Sequence, residues 1–220
     1  MFIGHFAVGL ASKKISNSLS LAMMFIAVQF LDIIWPIFVL LGIETVRIEE
    51  GITKLTPLDF TYYPYSHSLL MAIVWGLVLG LIYFLVTRNR QNSLIVGVLV
   101  LSHWVLDLLV HRPDLPLSPF SEYKVGFGMW NYPIIEIIIE TGMFCVGIYF
   151  YYTTKPPKKK IAFWSLIGLL FIVQMMNFFG PLPPNVDSIA WGANMIWIFV
   201  IWAWWLEREN KKPSLATKTS

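Results

Sequence analysis

In the stretch Ser102-His103-Trp104-Val105-Leu106-Asp107-Leu108-Leu109-Val110-His111, a His, an Asp and a His recur at four-residue intervals inside an apolar run. Each four-residue step on an α-helix turns the side chain by about 40°, so the spacing predicts that all three share one narrow face. Imidazole and carboxylate in line can bind a divalent metal or pass protons. The run from Ser93 to Val110 is apolar enough to cross a bilayer. Ionisable groups at that depth are costly and point to function.

Three more acids fall inside apolar runs: Asp32, Glu136 and Glu140. The other two of the four histidines are His5 and His67. At about 1.5 Å per helical residue, these groups occupy overlapping depths from the bilayer centre to one mouth. Glu136 and Glu140 are four residues apart and repel unless a cation or proton lies between them. His and carboxylate delivered to one zone by several helices make a metal site, zinc first and other divalent metals next. Carboxylates that do not bind metal would orient imidazoles. His103 and Asp107 are the candidate catalytic pair; His5, Asp32, His67, His111, Glu136 and Glu140 join them as candidate metal ligands. Plainer roles exist for each. An Asp within a span also serves helix–helix hydrogen bonds or proton relays. His67 and His111, at helix ends, also suit an interface. Arg112 is either a solvated loop residue or a contact for an anionic substrate group.

The elements that must hold these groups follow from composition. The chain has 220 residues, 57% hydrophobic and 13% charged, whereas a soluble domain is about 25% charged. It reads as an all-α, polytopic membrane bundle of six spans plus an N-terminal half-helix. The half-helix is Met1 to Ser12, too short to span and so buried in protein or lining a cavity. The spans are Leu19–Gly42, with a kink expected at Pro36, Ser66–Thr87, Ser93–His111, Asn131–Thr153, Ile161–Gly180 and Ser188–Leu206. Ser66 is the expected N-cap of the second span, with His67 in its first turn. Residues 1–153 form the metal-site domain, 154–206 two further spans and 207–220 a polar tail. The Trp-rich last span reads as a lipid-facing or packing helix. The single cysteine excludes an internal disulfide, and the small positive charge does not suggest nucleic acid.

Loops on one side (Lys13-Lys14, Arg88 and Arg90, Lys155 to Lys160, and the tail) hold twelve of the sixteen Lys and Arg. That side is expected to be cytoplasmic, with both termini on it and the site open to the outer side of the inner membrane.

Gly4-His5-Phe-Ala-Val-Gly9, the lone Asp32, Tyr65-Ser66-His67-Ser68 and His103-x3-Asp107 resemble the YdjM/YbcI-like family of bacterial inner-membrane proteins, identified as membrane-bound metal-dependent hydrolases. His111-Arg-Pro-Asp-Leu-Pro-Leu117 and Lys124-Val-Gly-Phe-Gly-Met-Trp-Asn131 look like a subgroup of the same proteins. The ligand order is also similar to that of the zinc-dependent phospholipase C and P1 nuclease superfamily, except that Glu136 stands where that pattern has His. That resemblance implies one metal on Asp32, His67, His103 and Asp107, and a second on His111, Glu136 and Glu140. A third would use His5, the N-terminus and a bridging Asp107.

The expected function is therefore a zinc-dependent phosphoesterase, holding two or three ions and acting through metal-activated water on a membrane lipid or lipid-linked phosphate. The same groups could instead form a proton or metal-ion transport pathway, or a metal site that only holds helices together.

Overall fold

The computed structural model describes residues 1–208. The chain is mainly helical, and five helices are long and apolar enough to cross a membrane. They are α5 (Leu69–Thr87), α6 (Arg90–Val110), α7 (Pro133–Thr154), α8 (Lys160–Phe179) and the pair α9 (Val186–Ala193) with α10 (Ile196–Arg208). A sixth is reached if the bent pair α2 (Leu21–Val28) and α3 (Phe30–Leu40) is one span. These helices turn side chains such as Leu77, Val86 and Ile138 outward, as lipid-facing residues require.

Helix α1 (Ile3–Ala11) is the short N-terminal piece, and it is buried. Ile3, Phe6 and Leu10 follow a helical period and are fully covered. A buried helix start leaves main-chain N–H groups in need of acceptors. No side chain caps α1 locally; the Gly4 N–H donates instead to Glu140 Oε1 of α7 at 3.0 Å. The two helices approach closely because Gly147 has no side chain: a Cβ there would lie 2.5 Å from the Ala7 carbonyl oxygen.

The second apolar stretch breaks at Gln29, where α2 and α3 meet at 54°, and Pro36 is carried inside α3. Gln29 (φ −107°, ψ 8°) leaves helical geometry, and this redirects the chain one turn before Asp32 enters the first turn of α3. Ser20 caps α2 by accepting from the Met23 N–H.

The segment read as a polar loop contains a hairpin. Strands β1 (Thr45–Ile48) and β2 (Leu58–Tyr62) pair antiparallel, with Arg47 opposite Asp59 and a register irregularity between Thr45 and Arg47. Then comes the short helix α4 (Pro64–His67). Ser68, not Ser66, caps α5, accepting from the Met71 N–H. His67 therefore ends α4 rather than starting the long helix. Helix α6 stops at Val110, and His111 has extended backbone (φ −61°, ψ 141°). Pro113 two residues on disfavours helical geometry at Arg112. A second small pair, β3 (Leu115–Pro116) and β4 (Lys124–Val125), orders part of the following loop.

Polar contacts gather at two poles. At one, Lys13 and Lys155 both pair with Glu207, at 2.8 and 2.9 Å, and Ser16 donates to Asn92 at 2.7 Å. At the other, Arg112 bridges Asp59 and Asp114 beneath the β1–β2 hairpin.

Candidate metal centre

Five of the eight candidate ligands come together. Asp32 enters from α3, His67 from α4, His103 and Asp107 from α6, and His5 from α1. Their ligand atoms form two overlapping groups, Asp32–His67–His103 and His5–His103–Asp107, each within 4.8 Å. The α6 pair is placed by its four-residue spacing.

Two of the rings are held from behind. His103 Nδ1 lies 2.7 Å from the carbonyl oxygen of Val28, the last residue of α2. A carbonyl only accepts, so Nδ1 carries the hydrogen and Nε2 is left as the site for a cation. His103 Nε2 is buried without a regular hydrogen bond, yet it is 3.0 Å from Asp107 Oδ2 and 3.7 Å from Asp32 Oδ1. His67 Nε2 faces the same carboxylates, 3.3 Å from Asp32 Oδ1 and 3.8 Å from Asp107 Oδ2. The Nδ1 of His67 contacts the Ser66 hydroxyl at 2.7 Å.

Two imidazole nitrogens and two carboxylate oxygens thus alternate around one small space. Two carboxylates facing lone pairs at these distances need about two positive charges between them, supplied by a divalent cation or by protons on both rings. The donor set fits the cation. A tetrahedral site with bonds of ~2.0–2.1 Å has ligand–ligand edges of about 3.3 Å, which the separations of 3.3 and 3.7 Å around Asp32 and of 3.0 and 3.2 Å around Asp107 approach; among the described residues the ligand atoms gather as two groups of three, and Asp32 and Asp107 do not share one within 4.8 Å.

Asp107 is the hub. Its Oδ1 also lies 3.2 Å from His5 Nε2 and 3.1 Å from the Met1 amine. The His5 ring stacks on His103, with centroids 3.7 Å apart. His103 and Asp107 are buried, while the Asp32 side chain is 29% exposed, so the space opens beside Asp32.

The remaining candidates sit elsewhere. His111 is the C-cap of α6, its N–H still bonded to the Asp107 carbonyl oxygen at 2.9 Å, but its ring is engaged elsewhere: Nδ1 is 3.0 Å from Asp114 Oδ1 and 3.2 Å from the Tyr63 hydroxyl. Burial pushes the Asp114 carboxyl up, but His111 and then Arg112 hold it below its ordinary value. Arg112 is engaged by Asp59 and by Asp114, the latter at 2.8 Å. Glu140 accepts from Gly4 N–H and from Gln174 Nε2. Glu136 is buried with neither oxygen hydrogen-bonded. Among the described residues, His111, Glu136 and Glu140 do not form a group with ligand atoms within 4.8 Å.

Glu44 was invisible in the sequence as a site residue. It is 1% exposed and lies between α3 and β1. Its Oε1 accepts from the Tyr65 and Ser66 N–H groups, both at 2.8 Å, and its Oε2 from the Ser66 hydroxyl at 2.6 Å. Burial pushes its carboxyl above the ordinary value, and the Ser66 donors, the nearby His67 ring and the Tyr65 N–H oppose that rise.

A bundle of apolar helices around a buried imidazole–carboxylate centre defines a polytopic membrane protein whose interior groups could hold a metal ion. The chain belongs to the YdjM inner membrane protein family, which it matches over residues 2–180. No curated protein and no solved structure matches it.

Proposed function

We propose that this chain is a membrane-embedded, metal-dependent hydrolase acting on the phosphoester of a lipid or lipid-linked substrate. The carrying observation is the alternation of His67 Nε2, Asp32 Oδ1, His103 Nε2 and Asp107 Oδ2 at 3.0–3.8 Å. Asp32, His67 and His103 would hold a divalent ion, zinc by its donor chemistry, and His5 with Asp107 and His103 would form a second, overlapping position. Such an ion supplies Lewis acidity for a phosphoryl oxygen and makes water a stronger acid.

The chain's own residues do the rest. Val28 fixes the His103 ring. His5 orients Asp107 through Oδ1, leaving Oδ2 toward the space. The buried walls keep Asp107 dry, where charge acts more strongly. The exposed edge of Asp32 is where a substrate would meet the centre. Because α3 and α6 belong to apolar helices, the substrate reaching that edge is expected to be a lipid. Arg112, already shared by two carboxylates, braces the loop in this reading. In the membrane we place six spans, counting α2–α3 as one, with the lysine-rich pole cytoplasmic and the site toward the outer side.

Purified protein in lipid nanodiscs, assayed for phosphate and diacylglycerol release with and without chelator, tests the reading. Turnover that needs metal and disappears in Asp107→Asn supports it. No turnover of any phosphoester, or turnover indifferent to Asp107→Asn, overturns it.

One observation favours a second reading: the span carrying Asp32 is broken three residues before it, at Gln29, and broken helices mark ion pathways in transporters. Uptake of a radioactive divalent metal, or of protons, into proteoliposomes would establish that alternative.

A further inference from the structure

Ser66 has one hydroxyl hydrogen and two close neighbours: Glu44 Oε2 at 2.6 Å and His67 Nδ1 at 2.7 Å. The Tyr63 carbonyl oxygen, at 3.5 Å, is at the limit of reach. A carboxylate only accepts. The hydroxyl hydrogen therefore goes to Glu44, and the Ser66 oxygen can only accept from His67. That requires the hydrogen of His67 on Nδ1 and the lone pair on Nε2, facing Asp32 and Asp107.

We propose that Glu44 is a positioning residue that sets the tautomer of His67 through the Ser66 hydroxyl, so that Nε2 is presented as a ligand. The inference deepens the hydrolase reading and rests on it for the identity of the centre. The arrangement gives His67 the same outcome that the Val28 carbonyl gives His103, by a side-chain route. Partners that hydrogen-bond the far nitrogen of a ligating imidazole fix the ring's orientation and raise its basicity.

The geometry of Glu44 makes one substitution diagnostic. Two main-chain N–H groups point at Oε1. In Glu44→Gln the amide oxygen must take that position, which turns the NH2 group toward Ser66. The NH2 then donates to the Ser66 oxygen, and the hydroxyl hydrogen turns to His67 Nδ1, at 2.7 Å a much closer acceptor than the Tyr63 carbonyl oxygen at 3.5 Å. A substitution that keeps the side chain's size and shape should thus move a proton from one ring nitrogen to the other.

The test uses the full-length protein with 15N-labelled histidine, freed of metal, at about pH 8.5, above the ordinary imidazole range. The four rings are assigned by single His→Gln changes. Wild type and Ser66→Thr, which keeps the hydroxyl, should show a hydrogen on His67 Nδ1; Glu44→Gln should lose it. Zn(II) titration against a chromophoric chelator should show affinity lowered ~10–100-fold in Glu44→Gln and Ser66→Ala and restored in Ser66→Thr. A wild-type His67 without a hydrogen on Nδ1 overturns the proposal, as does a Glu44→Gln protein that keeps both the wild-type tautomer and the wild-type zinc affinity. The ring tautomer is read without any ester being hydrolysed. A negative phosphoester assay therefore removes the hydrolase and leaves the Glu44 relay standing, whereas a wrong tautomer removes the relay alone.

Discussion

His103 Nδ1 and the carbonyl of Val28 are joined at 2.7 Å across the contact between α6 and α2. The bond ties the aim of a candidate ligand to the end of a helix, at the break that also sets the direction of Asp32. A side chain that both crosses helices and faces a candidate cation site would couple metal binding to stability. Chelation should lower the Tm of the wild-type protein, because a ligand at 100 times its Kd stabilises the folded state by about 2.7 kcal/mol. In His103→Ala the same chelator should leave Tm unchanged, and bound zinc by elemental analysis should fall to background. A chelator-sensitive Tm in His103→Ala would count against a site at this ring.

The two carboxylates should separate by their surroundings. Asp107 is 2% exposed and touches the Met1 amine, His5, His67 and His103. Asp32 is partly open and faces only His67 and His103 among the ion-pairing groups of the described residues. Removing the charge at Asp107 leaves the buried Met1 ammonium uncompensated, which is strongly destabilising. Asp107→Asn should therefore lose metal and also unfold at lower temperature without metal. Asp32→Asn should lose at least tenfold in zinc affinity with little change in the metal-free Tm. Equal Tm losses in the two metal-free variants would refute the distinction.

The legible part of the centre was the part written in helical spacing. His103 and Asp107 stand out because a helix brings positions four apart together inside an apolar run. His111 takes the same step as the C-cap of α6, but its ring is taken up by Asp114 and Tyr63, partners that periodicity does not mark. Asp32 and His67 were legible as types, but their meeting depends on a break at Gln29 for which the more obvious helix breaker, Pro36, is not responsible. Glu44 gave no local signal. It belongs to the segment between a span and a hairpin, and only the fold returns it to Ser66, 22 residues later. The same holds for Glu140, whose spacing from Glu136 suggested a cation between them, whereas the start of α1 occupies it.

At the hairpin pole, Arg112 ties Asp59 to Asp114. Arg112→Gln should raise amide hydrogen exchange in the β1–β2 hairpin and leave KM for a phosphoester substrate unchanged; a rise in KM alone would return Arg112 to the substrate. Asp114 carries the pH dependence. Its folded value is depressed, so its contribution to stability is complete above the ordinary Asp value of about 3.9 and disappears as pH falls through the lower folded value. Acid titration by hydrogen exchange should show the hairpin loosening below about pH 4, a step that Asp114→Asn lacks because its hairpin is already loosened at neutral pH.

At the other pole, Lys13 and Glu207 form an ion pair at 2.8 Å with both side chains buried, but their fallback partners are unequal. Without Lys13, Glu207 keeps Lys155 at 2.9 Å and the Leu21 N–H at 2.8 Å. Without Glu207, Lys13 keeps the Leu19 carbonyl oxygen, a neutral acceptor. Breaking a buried pair costs ~3–5 kcal/mol when a charge is left uncompensated. Glu207→Leu should approach that range, and Lys13→Met should fall well below it. The double variant should be more stable than Glu207→Leu alone, since it removes the stranded ammonium. Denaturation in mixed micelles of the three variants measures all three terms. Equal losses for the two single changes would mean that Lys155 and the Leu21 N–H do not hold Glu207, and that the ends of α2 and α10 are joined by packing alone.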